Sequence, residues 1–230
     1  MNSPAPVERK KTTAWEMYRS IVGIGAFCAL LLVGVFKVTE ARIADNKARF
    51  LASAVSEVLP VSQTTVEVTK DADGRLVAAT QPAALPVFLG YDENGELVGA
   101  VITSQAMGYA DLVTVLFSYS FEKQAIIGSK VLESKETPGL GDKVELEPHF
   151  LANFEALDAR LNEEGTALAN PIVTVKQGEK TEPWQIDGIT GATITSETIG
   201  VIMNKGASDW VPVLERDARS FVHEPAIEDQ

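Results

Sequence analysis

The residues most able to do chemistry lie together in Asp187-Gly188-Ile189-Thr190-Gly191-Ala192-Thr193-Ile194-Thr195-Ser196-Glu197. Gly191 and Ala192 are small, so the backbone before Thr193 can turn tightly and a bulky group can come close. Beyond them Ile199, Ile202 and Met203 recur at helical spacing. That predicts a helix over 197–205 with Thr195 or Ser196 as its cap. Amides exposed at a helix N-terminus suit a phosphate, and a threonine there could present its hydroxyl to a phosphoryl group. Glu197 opposes this, because a carboxylate in the first turn competes for the same positive end. A plain small-residue turn, with threonines present only for capping, accounts for the same residues. Composition and spacing do not separate the two.

A second stretch is Glu136-Thr137-Pro138-Gly139-Leu140-Gly141. Pro138-Gly139 predicts a turn, and Gly141 permits close backbone approach. Such a turn could set Thr137 and Leu140 against a flat ring. By itself it is also compatible with an ordinary surface turn.

Other chemistry is excluded more simply. The chain has 230 residues and a formal net charge of −12, and after Lys37 it holds 15 basic and 30 acidic residues. An acidic surface of this kind repels nucleic acid and anionic headgroups. The single cysteine, Cys28, sits in an apolar run and has no partner for a disulfide or a cluster. His149 and His223 are far apart, without ligand-like spacing, and read as surface or satisfied residues. No metal site and no catalytic acid or base is legible.

These residues need elements to position them. Residues 20–36 carry no charge, and extending the run to Tyr18 brings it near the lower limit of the ~17–25 residues that span a bilayer. Lys37-Val38-Thr39-Glu40-Ala41 offers no convincing cleavage site, so the run reads as an uncleaved anchor rather than a signal peptide. Trp15 and Tyr18 would lie at one interface beside Arg9, Lys10, Lys11 and Arg19. Lys37, Arg42, Lys47 and Arg49 follow the span, so charge bias favours an inside N-terminus only modestly.

From Val38 to Leu59, apolar Ile43, Phe50, Leu51, Val55 and Val58 predict a helix that leaves the membrane, ended by Pro60. Strands are expected at 64–69, 85–89, 97–102, 113–121, 126–132 and 172–175, with a turn at Asp92-Glu93-Asn94-Gly95. Helix is expected over 150–161. Strands and helices intermix without strict alternation, so the fold class is α+β. The tail beyond Phe221 reads as loosely ordered.

Taken with that order of elements, the two motifs resemble the FMN-binding domains of two membrane-complex proteins. These are the G subunit of the Rnf electron transport complex and the C subunit of the sodium-translocating NADH:quinone reductase. The first motif matches Asp-x-x-(Ser/Thr)-Gly-Ala-Thr, and the second matches the upstream Glu-Thr-Pro-Gly signature. The resemblance covers roughly residues 85–206. It implies FMN joined to Thr193 through a phosphoester made by a separate flavin transferase. Asp187, Thr190, Gly191 and Ala192 supply the rest of that motif, and Glu136, Thr137, Leu140 and Gly141 supply the second.

Gly108-Tyr109-Ala110 resembles the Gly-Tyr of the Rnf protein and adds Tyr109 to the site. Ser134 stands where these families often carry histidine, so no role passes to it. The implied organisation is a cytoplasmic tail (1–17), a transmembrane helix (18–37), an amphipathic linker helix (38–60), an FMN-binding domain (61–215) and a flexible tail (216–230). The implied function is electron relay within a membrane complex coupling ferredoxin–NAD electron transfer to ion pumping. The flavin domain would lie on the periplasmic or extracytoplasmic side of the inner membrane. The quinone-reductase protein, a membrane-tethered flavin sensor and a flavin-free structural protein are the alternatives.

Overall fold

The computed structural model describes residues 14–221. The expected basic tail through Lys11 and the expected loose tail after Phe221 lie outside the described residues. The described chain falls into two units that divide after Arg49.

The first unit is helical. Helix α1 runs without interruption over Ala14–Val58, so span and linker are parts of one 45-residue helix. Within it an 18-residue window reaches a mean hydropathy of 2.4 with none of its residues buried. By length and composition it can cross a membrane. Ile43 is exposed.

The second unit begins with the last turns of α1 and is built on a seven-stranded sheet. Its strands are β1 (Thr64–Lys70), β2 (Leu76–Ala78), β3 (Val87–Tyr91), β4 (Leu97–Met107), β5 (Leu112–Ser120), β6 (Ala125–Glu133) and β7 (Leu157–Asp158). The spatial order is β2-β1-β3-β4-β5-β6-β7, and every pairing is antiparallel. The turn at Asp92–Gly95 forms as expected: Asp92 Oδ1 accepts from the amides of Asn94 and Glu96, and Gly95 takes φ 77°.

Short helices α2 (Lys143–Leu146) and α3 (Pro148–Leu151) follow β6. A separate two-stranded parallel sheet pairs β8 (Val173–Val175) with β9 (Gln185–Asp187). The long helix α4 (Thr193–Asp217) closes the unit. The class is α+β.

Two layers cover the sheet. In β4 and β5, Ala100, Ile102, Val115, Phe117 and Tyr119 join the main core with Ile199, Ile202, Met203, Ala207 and Leu214 of α4. The alternate residues Val101 and Leu116 pack instead with Ala54, Val55, Val58 and Leu59. Since successive side chains point to opposite faces of a strand, these two strands are buried on both sides. That is why they read as nearly continuous apolar runs.

Three expectations need correcting. The helix over 150–161 is broken: α3 passes into a 3-10 turn at Ala152–Glu155 and then into β7. Leu157 is wholly buried beside β6, so edge pairing of the strand prevails over the helical pattern. The helix predicted at 197–205 extends from Thr193 to Asp217 and carries Pro212 inside it. The short strands β2, β7 and β9 were not foreseen. They are two or three residues long and carry too little pattern to announce themselves.

Leu59 joins the end of α1 to the sheet. It is fully buried and lies over Gly90 and Gly99, where an added Cβ would come within 2.5 and 3.0 Å of its methyl groups. Neither glycine has a side chain that could fill the space Leu59 occupies. Leu59→Ala is therefore expected to cost about 3 kcal/mol, read as a lower thermal midpoint of the detergent-solubilised chain.

The far end of α4 is tied to β2 and the turn before it: Asp217 accepts from the Leu76 amide, and Arg216 donates to the Gly74 carbonyl. The Arg216 guanidinium holds the Asp217 carboxyl down from 3.8 to about 2, helped by the Leu76 amide of β2 that donates to it. A carboxyl depressed on folding adds stability above its unfolded value and loses it as pH falls through the folded one. Stability should therefore drop as pH falls from 3.8 to about 2. Asp217→Asn should lack that component in pH-dependent melting curves.

Candidate functional site

The site forms where three segments meet at the start of α4. The first is the turn between β9 and that helix. Gly191 takes φ 86°, a left-handed conformation that favours glycine. Ala192 is the N-cap and closes the turn through its amide to the Ile189 carbonyl (3.1 Å). Its own carbonyl accepts the first helical bond, from the Ser196 amide at 2.9 Å.

The helix thus starts at Thr193, and neither Thr195 nor Ser196 caps it. Both are buried in the first turn. The Ser196 hydroxyl accepts from the Ile189 amide (3.1 Å) and donates to the Ala192 carbonyl (2.9 Å), locking the turn from inside. No side chain caps the helix, and no acidic residue lies in its first turn. Glu197 stands one turn further on, which removes the objection raised from the sequence. Thr193 is exposed.

The second segment is the turn after β6. Gly139 takes φ 79°, and the amides of Leu140 and Gly141 donate to the Thr137 carbonyl. A Cβ on Gly141 would lie 2.5 Å from the Glu136 Cβ, so the turn folds back over Glu136 only with glycine there.

The third segment is the β4–β5 hairpin, which presents Tyr109 at 70% exposure. Glu136 joins the three. It is 7% exposed, accepts from the Ala110 amide at 3.0 Å through Oε1, and accepts from the Thr195 hydroxyl at 2.9 Å through Oε2.

Between these segments lies a cavity of about 350 Å³, at the lower end of the range for small-molecule sites. Tyr109, Glu136, Thr137, Leu140, Gly141, Gly191, Ala192 and Thr193 all line it, together with Ile194 and Thr195. The structure thus gathers eight of the ten residues singled out from the sequence. Asp187 and Thr190 do not line it. Thr190 faces a second cleft of about 620 Å³ with Lys176, Gln177 and Glu197, and Thr193 borders both.

Asp187 sits behind the turn and is 6% exposed. Its Oδ1 accepts from the Gly178 amide (2.6 Å), and its Oδ2 lies 2.8 Å from His149 Nε2. Buried Asn153 holds it on both backbone sides: Oδ1 accepts from the Asp187 amide, and Nδ2 donates to the Asp187 carbonyl. Lys180 also donates to Asn153 Oδ1, and burial draws the Lys180 amine below its ordinary value while Asp187 partly offsets this.

Sequence reading missed this support. His149, read as a surface or satisfied residue, is a satisfied one whose partner, Asp187, lies 38 positions away. Asn153 lies in a stretch that read as plain helix, and no local signal marks it.

Residues 108–208 match the family model described as the FMN-binding domain. Over 184 residues the chain is 32% identical to the G subunit of the Na(+)-translocating ferredoxin:NAD(+) oxidoreductase complex of Acetobacterium woodii. That match covers 78% of this chain and 82% of the relative. It is 29% identical over 199 residues to the G subunit of the ion-translocating oxidoreductase complex of Methanosarcina acetivorans, covering 85% of this chain and 93% of that one.

The chain belongs to the family of G subunits of ion-translocating oxidoreductase complexes.

Its fold is similar to the crystal structure of the C subunit of the Na(+)-translocating NADH-quinone reductase from Parabacteroides distasonis. The TM-score is 0.54 at 20% identity, covering 71% of this chain and 83% of that one. In this member of the G-subunit family both matched motifs border the cavity, and Asp187 marks the start of the turn rather than its lining.

Asn153 makes four hydrogen bonds through a buried side chain, to Phe150, Lys180 and both backbone groups of Asp187. Asn153→Ala leaves several of those groups unsatisfied, and is expected to cost about 2–3 kcal/mol in denaturant unfolding.

Proposed function

We propose that this chain is the membrane-anchored flavoprotein subunit of an Rnf-type ion-translocating complex, relaying electrons through FMN esterified to Thr193. The observation that carries the attachment point is the exposed Thr193 at an uncapped helix N-terminus that opens onto the cavity.

The residues present fit FMN. The first amides of a helix have no intrahelical acceptor, and a phosphate on Thr193 would supply one while meeting the positive end of the helix dipole. The cavity beside it offers Tyr109 and Leu140 as apolar surface and Thr137 as a polar group. Gly141 and Gly191 leave its walls without side chains that would close it.

Bound there, FMN would supply reversible electron transfer, and the protein's part is to hold, shield and tune it. Thr193 would hold the phosphate, Ser196 and Asn153 hold the turn that carries it, and Tyr109 and Leu140 would offer the ring apolar surface. No acid or base from the chain is required. The covalent tether keeps a mononucleotide in place where a dissociated flavin would be lost by dilution.

A separate flavin transferase would install the group, and the exposure of Thr193 gives such an enzyme access. The expected partners are the other subunits of the complex, with α1 holding the domain at the membrane and the domain on the extracytoplasmic face. Co-purification with such a complex distinguishes relay from a membrane-tethered sensor.

The decisive experiment expresses the full chain with a flavin transferase and measures intact and peptide mass after denaturation. Wild type, Thr190→Ala and Thr195→Ala should each gain one FMN unit on the peptide containing Thr193. Thr193→Ala should gain none. A flavinylated Thr193→Ala chain, or a wild type that stays unmodified beside a modified control protein, overturns the reading.

A further inference from the structure

Among the described residues Glu136 is the one carboxylate in the cavity wall, and its position suits a task other than contact with a ligand. It is buried beneath its own turn and has an acceptor bond on each oxygen. The two donors come from different parts of the chain: the Ala110 amide in the β4–β5 hairpin and the Thr195 hydroxyl in α4. Clearance is tight around it. A Cβ on Gly108 would lie 2.4 Å from Oε1, and one on Gly141 would lie 2.9 Å from Oε2. Both partners are neutral, and the adjacent cation, Lys135, is engaged by Asp111 at 2.5 Å. The carboxylate is therefore held by dipoles rather than by an opposite charge.

We infer that Glu136 is a positioning residue that clamps hairpin and helix around the cavity and sets a fixed negative charge against the isoalloxazine ring. This rests on the flavin reading above. Adding electrons to a ring beside a negative charge that no cation neutralises is disfavoured, and more so where burial weakens screening. The charge therefore lowers the reduction potential of the flavin, one of the ways a protein tunes this cofactor. The Glu136 side chain does not need to touch the ring to act.

Two variants separate the clamp from the charge. In Glu136→Gln the side-chain carbonyl still accepts from the Ala110 amide, and the amide group can donate to the Thr195 hydroxyl, which rotates to accept. The clamp survives and the charge is gone. In Glu136→Ala both are lost.

Hydrogen exchange on the flavin-free full chain should show the Ala110 amide exchanging roughly tenfold faster in Glu136→Ala, with protection kept in Glu136→Gln. In flavinylated protein, spectroelectrochemical titration should give a more positive potential for Glu136→Gln than for wild type. Unchanged Ala110 exchange in Glu136→Ala overturns the clamp. An unchanged potential in fully flavinylated Glu136→Gln overturns the electrostatic role. Wild type that takes up no flavin counts against the function proposed above, while the exchange measurement still decides the clamp.

Discussion

The two buried hydroxyls of the first turn of α4 decide where the helix begins, and the geometry around the cavity follows from them. Ser196 binds back onto Ile189 and Ala192, so the turn out of β9 has one conformation. Thr195 reaches Glu136, which ties that turn to the hairpin between β4 and β5 and to the loop after β6. The N-cap is Ala192, whose side chain has no acceptor to offer the first amides. A helix of 25 residues with no side-chain cap presents its first amides to whatever lies in front of it.

The turn is held from behind by a different set. Asp187 is fixed at its backbone by Asn153 and at its carboxylate by Gly178 and His149. This explains why an aspartate six positions before Thr193 belongs to the motif without lining the cavity. Its bonds go to residues around the small parallel sheet and its exit. Glu136 and Thr137 both border the open space, and Glu136 also serves the framework through its bonds to Ala110 and Thr195.

The remainder of the domain gives these loops a rigid base. The sheet is filled on one side by α4 and on the other by the end of α1 with Leu59. The element that anchors the chain is therefore continuous, through one helix, with an element of the domain's own packing. Helix α1 has no break near residue 38.

Much of this was legible from local pattern. The apolar run of α1, the five longer strands, the turns at Gly95 and Gly139 and the small-residue turn before Thr193 all depend on neighbours in sequence. Periodicity and turn chemistry therefore report them. The extent of α4, the early end of the helix near residue 151, the roles of Thr195 and Ser196, and the support from Asn153 and His149 were not. Asn153, His149 and Thr195 act on partners between 34 and 59 positions away, and the helix near residue 151 gives way to pairing at a sheet edge. By itself the sequence determined which residues could carry a phosphate-linked group. Only the tertiary structure decided which of them share a cavity and which hold it open, because hydrogen bonds between distant segments leave no periodic trace in the chain.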